Sequence, residues 1–448
     1  MKTREPRTIE SAGQPATSVF LRNQGIEGGS GLIGTILLTG ILLLAMRSFI
    51  VSPVFELVAI AEQAWLVLLV LFLIYTISRG FVSRNYTMDR AEVVTVILLV
   101  LPIMAALGAN REYGQPYIHG ILAFKDYYLF CTALLVYHLL KRGIISVRQL
   151  EIAMTVAALS SLALFYGMSL FTNPAKYTDT VVAGSQSTKG GSVYYRFSMG
   201  LIFYGAIYFF IAWIRNARWS NLLLSGLFVI YILFFRLDRT SIVACLFALL
   251  VSWLVVAPRS FKLKSLVYVG GPLAILVCMI LVAVPSIWET VSLMFWDAFS
   301  TLTGENRGAG QARLRTYEAG IVVEQIQEHP LLGNGRVSNS WVEGAFDHFY
   351  RFFYPGDVGF LGTIFIFGVF GAVGLYTQFL LVLPTFKKAS WKKADTFTLG
   401  LLFYLLILFV DSLSNGSLVV YSSQTVIAAV ALYFISQQNQ AHAPSETS

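Results

Sequence analysis

The stretch RLRTYEAGIVVEQIQEHPLLGNG (residues 313–335), followed by DHFYRFFYPGDVGFLG (residues 347–362), is the longest polar excursion in an otherwise apolar chain. From Gly310 to Glu328 the pattern predicts a helix. It is opened by the glycine-rich TGENRGAG (residues 303–310) and stopped at His329-Pro330, where proline disfavours helix at the residue before it. Within it, Arg313 and Arg315 are two residues apart, about 200° of helical rotation, so they cannot both face one cavity. Arg315 falls on the stripe Ala319, Val322, Ile326. Arg313 lies beside Tyr317 and nearer the helix start, the better place for an anion.

On both sides of this excursion the sequence turns apolar. The chain has 448 residues, of which 56% are hydrophobic and 12% charged, and its mean hydropathy is +0.69. That leaves too little polar surface for a soluble globule of this size and predicts a membrane protein. Apolar windows long enough to span a bilayer fall at 31–51, 57–77, 91–109, 118–140, 150–171, 193–214, 221–235, 240–257, 266–284, 359–383, 397–414 and 418–436. The expectation is therefore an all-α integral membrane protein of about twelve transmembrane helices with one long loop containing short helices. The first window lacks a cleavage-site pattern and is expected to stay as a helix. The divisions expected are an N-terminal tail (1–30), nine helices (31–284), a loop domain (285–358), three helices (359–436) and a C-terminal tail (437–448).

The net charge of +8 is spread over short loops, which argues against a nucleic-acid partner. Its placement reads as topology. With both tails cytoplasmic, basic groups fall inside at Lys2, Arg4, Arg7 and Arg22; Arg79, Arg84 and Arg90; Lys141, Arg142 and Arg148; Arg215 and Arg218; Arg259, Lys262 and Lys264; and Lys387, Lys388, Lys392 and Lys393. The positive-inside rule supports that orientation. Opposite connections such as 52–56 and DSLSNGS (411–417) carry no Lys or Arg. Segment 172–192, rich in Ser, Thr and Gly, reads as a flap. Segment 285–358 is long enough to be functional, with a Trp-bearing stretch at 286–299 that suits the membrane interface. The cysteines Cys131, Cys245 and Cys278 lie in apolar runs and suggest neither a disulfide nor a thiolate site.

Several charges do not fit this topology. Arg236 and Arg239 sit in FFRLDRTS (234–241), a short outside connection; they are either interfacial turn residues or guanidiniums aimed at a bound anion. Arginine engages two oxygens of a diphosphate at once and stays charged when partly desolvated. Arg239 begins a helix, whose first amides would add to such a site. Arg196, in SVYYRFSMG (192–200), starts another helix at the same face. Lys125 and Asp126 lie inside the fourth window, as a proton relay or as a neutralising pair. His348 is the side chain best suited to accept a proton near neutral pH. Glu343 and Asp347 beside it offer a metal alternative, but three ligands on one short segment do not define a site, and no metal or other cofactor is expected.

In this order of features the chain resembles the bacterial O-antigen ligase and O-antigen polymerase superfamily. The resemblance rests on Arg313 four residues before the aromatic Tyr317, on His329-Pro-Leu-Leu-Gly-Asn-Gly335, and on His348 spaced from Gly359 and Gly362 as in the ligase signature. Phe349 departs from that signature, which has a polar residue after the histidine. The resemblance implies a GT-C-like membrane glycosyltransferase that needs no metal and takes an undecaprenyl-diphosphate-linked oligosaccharide donor at the periplasmic face of the bacterial inner membrane. His348, Arg239 and Arg313 would be catalytic, and Arg196, Arg236, Arg315 and Tyr317 would bind the diphosphate. The acceptor is a glycan for a polymerase or lipid A-core for a ligase. Membrane lipid is a further partner, a chain-length regulator a candidate one, and a lipid-linked glycan flippase is the rival of a different class. Phe349 favours polymerase over ligase.

Overall fold

The computed structural model describes residues 30–48, 55–82, 90–125, 127–173, 186–189, 192–195, 197–236, 239–265, 267, 311–338, 341, 355–380, 394–416, 418, 425–432 and 434. The helices in order are α1 (Ser30–Ala45), α2 (Phe55–Val82), α3 (Arg90–Tyr113), α4 (Tyr117–Leu122), α5 (Cys131–Lys141), α6 (Val147–Phe171), α7 (Gly200–Asn216), α8 (Trp219–Tyr231), α9 (Arg239–Val256), α10 (Arg259–Ser265), α11 (Gln311–Glu328), α12 (Phe360–Leu380) and α13 (Thr396–Ser414). A short antiparallel hairpin, β1 (Gln186–Lys189) and β2 (Ser192–Tyr195), is the sheet among the described residues. Among the described residues, four helical segments are long and apolar enough to cross a membrane: Glu92–Tyr113, Val147–Phe171, Phe360–Phe379 and Thr396–Ser414. Shorter apolar helices pack with them. The exterior is apolar too, with Leu32, Ile33, Leu68, Leu71, Leu223 and Phe370 all exposed. Water tolerates such surfaces poorly, whereas lipid tails accommodate them, so the chain is a helical protein fitted to a bilayer.

α7 forms the centre. It is apolar on every face, the mark of a helix with no solvent side, and it packs against α6, α8, α9 and α13. Gly205 lets the Phe228 ring of α8 lie directly on its backbone. α8 and α13 are its most extensive partners, and α13 is buried along most of its length, from Phe397 to Leu405 and again at Ile407 and Leu408.

The structure corrects the sequence reading in three places. The 118–140 window is no single helix: α4 ends at Leu122, Ala123–Lys125 turn, a 3₁₀ segment spans Tyr127–Phe130 and α5 follows. Lys125 is thus an exposed residue of this turn instead of a residue within a continuous helix; Asp126 lies outside the described residues. The 193–214 window begins as strand β2, and its helix starts only at Gly200, because Tyr195 and Phe197 are anchored in an aromatic cluster before the chain turns into α7. The flap predicted at 172–192 accordingly contains strand β1 and the start of β2. Apart from residue 267, the 266–284 window lies outside the described residues, as does the stretch 286–299.

The helix predicted at 310–328 is α11 (Gln311–Glu328), and the turn at its C-terminal end shapes the fold. α12 is broken at Gly368, whose φ of 68° and ψ of 179° are not helical. A continuous helix would pair the Val369 and Phe370 amides with the carbonyls of Phe365 and Ile366. Instead, those carbonyls accept from the amides of Asn334 (2.7 Å) and Gly335 (3.1 Å), while Val369 donates to Pro330 O (2.8 Å) and Phe370 to Leu331 O (3.4 Å). The HPLLGNG turn thus fills the break, and Asn334 is wholly buried there. Gly333 and Gly335, both at positive φ, touch α12 and the Ala105–Ala109 backbone of α3, where no Cβ would fit.

This geometry makes Gly368 irreplaceable. Alanine there enters a backbone region that is essentially glycine's alone, at a cost of about 1–3 kcal/mol, and its Cβ collides with the Leu331 carbonyl. Gly368→Ala should lower the thermal unfolding midpoint of detergent-purified protein by several degrees or abolish folding. Gly374→Ala, whose Cβ makes ordinary contacts with Ile97 Cγ2 at 3.4 Å and Leu101 Cδ2 at 4.0 Å, should shift it little. An unchanged midpoint in the first variant would disprove the break.

Candidate functional site

The C-terminal end of α13 gathers the segments that the sequence singled out. Asp411, 1% exposed, accepts a hydrogen bond from Ser241 Oγ at 2.9 Å and a longer one from Thr240 Oγ1 at 3.5 Å. Asn415 Nδ2 donates to Thr240 Oγ1 at 3.3 Å. Thr240 and Ser241 come directly after Arg239, so the start of α9 is fixed onto α13 by side chains buried in an apolar bundle. A carboxylate at a helix N-terminus also meets the positive end of the helix dipole.

The other side of this junction holds the glycine motif. Gly416 N donates to Gly356 O at 2.5 Å, in the 3₁₀ turn Pro355–Val358 that leads into α12. Gly359, at φ 60°, lies against the backbone of Leu413 and Ser414, and Gly362 lies against the Pro355 carbonyl. A side chain at either glycine would push the helix start away. Tyr376 OH donates to Ser412 O at 3.0 Å and ties α12 to α13 one level deeper.

Two further elements reach the same corner. α11 packs on the Pro355–Val358 turn and on α12. β2 packs on the π-helical turn Ile232–Arg236 at the end of α8, where Tyr231 and Phe235 stack with centroids 5.3 Å apart and Tyr166 meets Phe235 edge-on. Tyr195 and Phe197 stack on either side of position 196, and the Tyr195 hydroxyl is 2.8 Å from Thr172 Oγ1. Backbone positions 236 and 239 are therefore adjacent, the residues flanking 196 are docked beside them, and the glycine pair and α11 complete the corner.

Of the residues predicted for the site, Arg239 is the first residue of α9 and Arg236 the last of the π-helical turn. Arg313 and Arg315 lie in the first half of α11. In that helix Glu318 and Val322 are buried, whereas Tyr317, Gly320 and Glu324 are exposed. Arg196 and His348 lie outside the described residues, as do Glu343 and Asp347.

Sequence reasoning passed over Asp411, Thr240, Ser241, Asn415 and Glu318. Asp411 ends an apolar window and Glu318 sits on the buried stripe of α11, so the signal in both cases was a carboxylate at a position the period assigns to the interior. No family model matches the chain, and none of the curated proteins is similar to it in sequence.

The Asp411–Ser241 contact makes a measurable claim. Asp411→Ala should destabilise the protein by about 1–3 kcal/mol, because it strands the buried Ser241 hydroxyl. A double-mutant cycle with Ser241→Ala should return a coupling of about 1 kcal/mol or more. Additive losses would mean that the two side chains do not hold α9 to α13.

Proposed function

We propose that this chain is a membrane glycosyltransferase that polymerises polysaccharide repeat units, transferring an undecaprenyl-diphosphate-linked glycan to a sugar hydroxyl on the next unit. The observation that carries the reading is the junction at the end of α13, where Asp411 holds the Arg239 helix start and Gly416 holds the turn that comes after the His348 segment. Segments adjoining two stretches far apart in sequence, both suited to the same chemistry, meet there. α11, which bears Arg313, packs on the same turn.

In this reading the acceptor hydroxyl attacks the anomeric carbon as His348 takes its proton. The new glycosidic C–O bond forms while the bond from that carbon to the phosphate oxygen breaks, and direct displacement inverts the anomeric configuration. The electron pair leaves on the diphosphate, where Arg239 and Arg313 stabilise the growing charge, with Arg196, Arg236, Arg315 and Tyr317 around them. Bond energy for the transfer is already stored in the lipid diphosphate, so the step calls on no nucleotide and no metal. The basic cytoplasmic loops orient this corner outwards, where lipid-linked glycan is displayed. Phe349 beside His348 favours a second lipid-linked unit as acceptor over lipid A-core.

The test is complementation of a deletion strain. His348→Ala should reduce polymer by about 10²–10⁴-fold, the usual contribution of a general base, and Arg239→Ala and Arg313→Ala by about 10²-fold or more, as for lost charge stabilisation. All three proteins should still insert at normal levels, and single repeat units should accumulate on the carrier lipid. Normal polymer from the His348→Ala strain would refute the assignment of the base. Normal polymer on the carrier combined with missing lipid A-linked glycan would make the chain a ligase.

A further inference from the structure

The HPLLGNG turn carries a second cluster of ligating side chains that the transfer reaction does not use. Glu112 lies one residue before the end of α3, and Glu328 and His329 lie at the end of α11. Their donor atoms all fall within 4.8 Å of one another, and His329 Nε2 is 2.6 Å from Glu112 Oε2. We infer that Glu112, Glu328 and His329 form a binding site for a divalent transition-metal ion of the zinc class, which clamps α11 to α3 beside the HPLLGNG turn.

Charge points to a cation. Two carboxylates face one imidazole, so the cluster stays negative even when the imidazole is protonated. Glu328 is exposed and has no hydrogen bond or ion pair among the described residues. Arg111 adjoins Glu112 in sequence, but neighbours in a helix do not share a face, and the described residues show no ion pair between Arg111 and the cluster. The C-terminal ends of α3 and α11 converge here as well, and each brings the negative pole of its dipole. The His329 imidazole is the group that pairs with this charge directly, through Glu112.

Ligand chemistry selects the class of ion. One imidazole nitrogen with two carboxylates suits zinc and its first-row neighbours, whereas magnesium and calcium prefer oxygen alone. Three protein ligands leave the remaining positions to water, which fits the exposure of Glu328. Binding would replace the proton between His329 and Glu112 with the metal. The ligands are also held in place beforehand: Glu328 and His329 lead into the turn locked into the α12 break, and Gly335 in that turn lies against Ala105 and Ala109 of the helix that carries Glu112. The ion would brace the junction and takes no part in glycosyl transfer, so the site does not depend on which reaction the protein catalyses.

The experiment uses untagged full-length protein purified in detergent, stripped with chelator and dialysed against Zn²⁺ in the presence of excess Mg²⁺ and Ca²⁺, with bound metal measured by elemental analysis. Wild type should retain one zinc per chain, and zinc should raise its unfolding midpoint. Glu328→Gln breaks no described contact and so should fold; it should weaken zinc binding by about tenfold or more, since loss of even an outer partner of a ligand costs that much. His329→Ala should abolish binding. Zinc retention in wild type no higher than in Glu328→Gln, an affinity unchanged by Glu328→Gln, or displacement of the zinc by magnesium would each overturn the site.

Discussion

Backbone amides and carbonyls inside an apolar bundle must find their partners within the protein, because lipid offers none. The exchange at Gly368 is where this constraint governs the structure. A broken helix leaves donors and acceptors that would each cost about 1–3 kcal/mol if left unmade. The HPLLGNG turn makes them all, taking both carbonyls of Phe365 and Ile366 and offering both carbonyls of Pro330 and Leu331. Two bonds internal to one helix become four between segments. Neither partner is stable in this form alone: the turn has no regular structure of its own, and the break is satisfied only by the turn.

From that exchange the placement of the other parts follows. α11 is held at its C-terminal end by the turn, so its stripe of Glu318 and Val322 lies against α12 and the Pro355–Val358 turn. The same α12 begins at Gly359 against the end of α13, and α13 grips the start of α9 through Asp411. A polar chain of contacts thus runs from the turn through α12 and α13 to Arg239. The glycines of this region mark surfaces where backbone meets backbone. Gly333, Gly335, Gly359 and Gly368 all have positive φ and a neighbour where a Cβ would sit.

Much of this was legible in the sequence. The apolar windows located most helices to within a few residues, and His329-Pro330 stopped α11 where proline chemistry requires. The break in α12 was not legible, since Gly368 sits in a run, FIFGVFGAVG, with nothing polar to mark it. Its partner lies more than thirty residues earlier, and no local pattern reports a hydrogen bond over that distance. Periodicity likewise merged α4, the turn at Lys125 and α5 into one window, because all are apolar enough and hydropathy averages over a turn. Asp411 was hidden for the opposite reason: it was counted with the polar loop DSLSNGS, whereas its carboxylate belongs to the interior.

The placement of Asp411 bears on what Arg239 can do. A helix N-terminus bordering a site could turn its dipole on a bound anion, as the sequence suggested for α9. In the structure the hydroxyls of Thr240 and Ser241, in the first turn of α9, are directed to the Asp411 carboxylate instead. Much of that end of the dipole is therefore answered within the protein, and a diphosphate at this corner would depend on guanidinium groups more than on free amides. Such an arrangement favours precise location over raw attraction. The helix start is fixed by hydrogen bonds from Thr240 and Ser241 to a buried carboxylate, which leaves positions 236 and 239 on an anchored backbone. An anion site built this way reorganises little as charge develops, and that is the property an electrostatic catalyst needs.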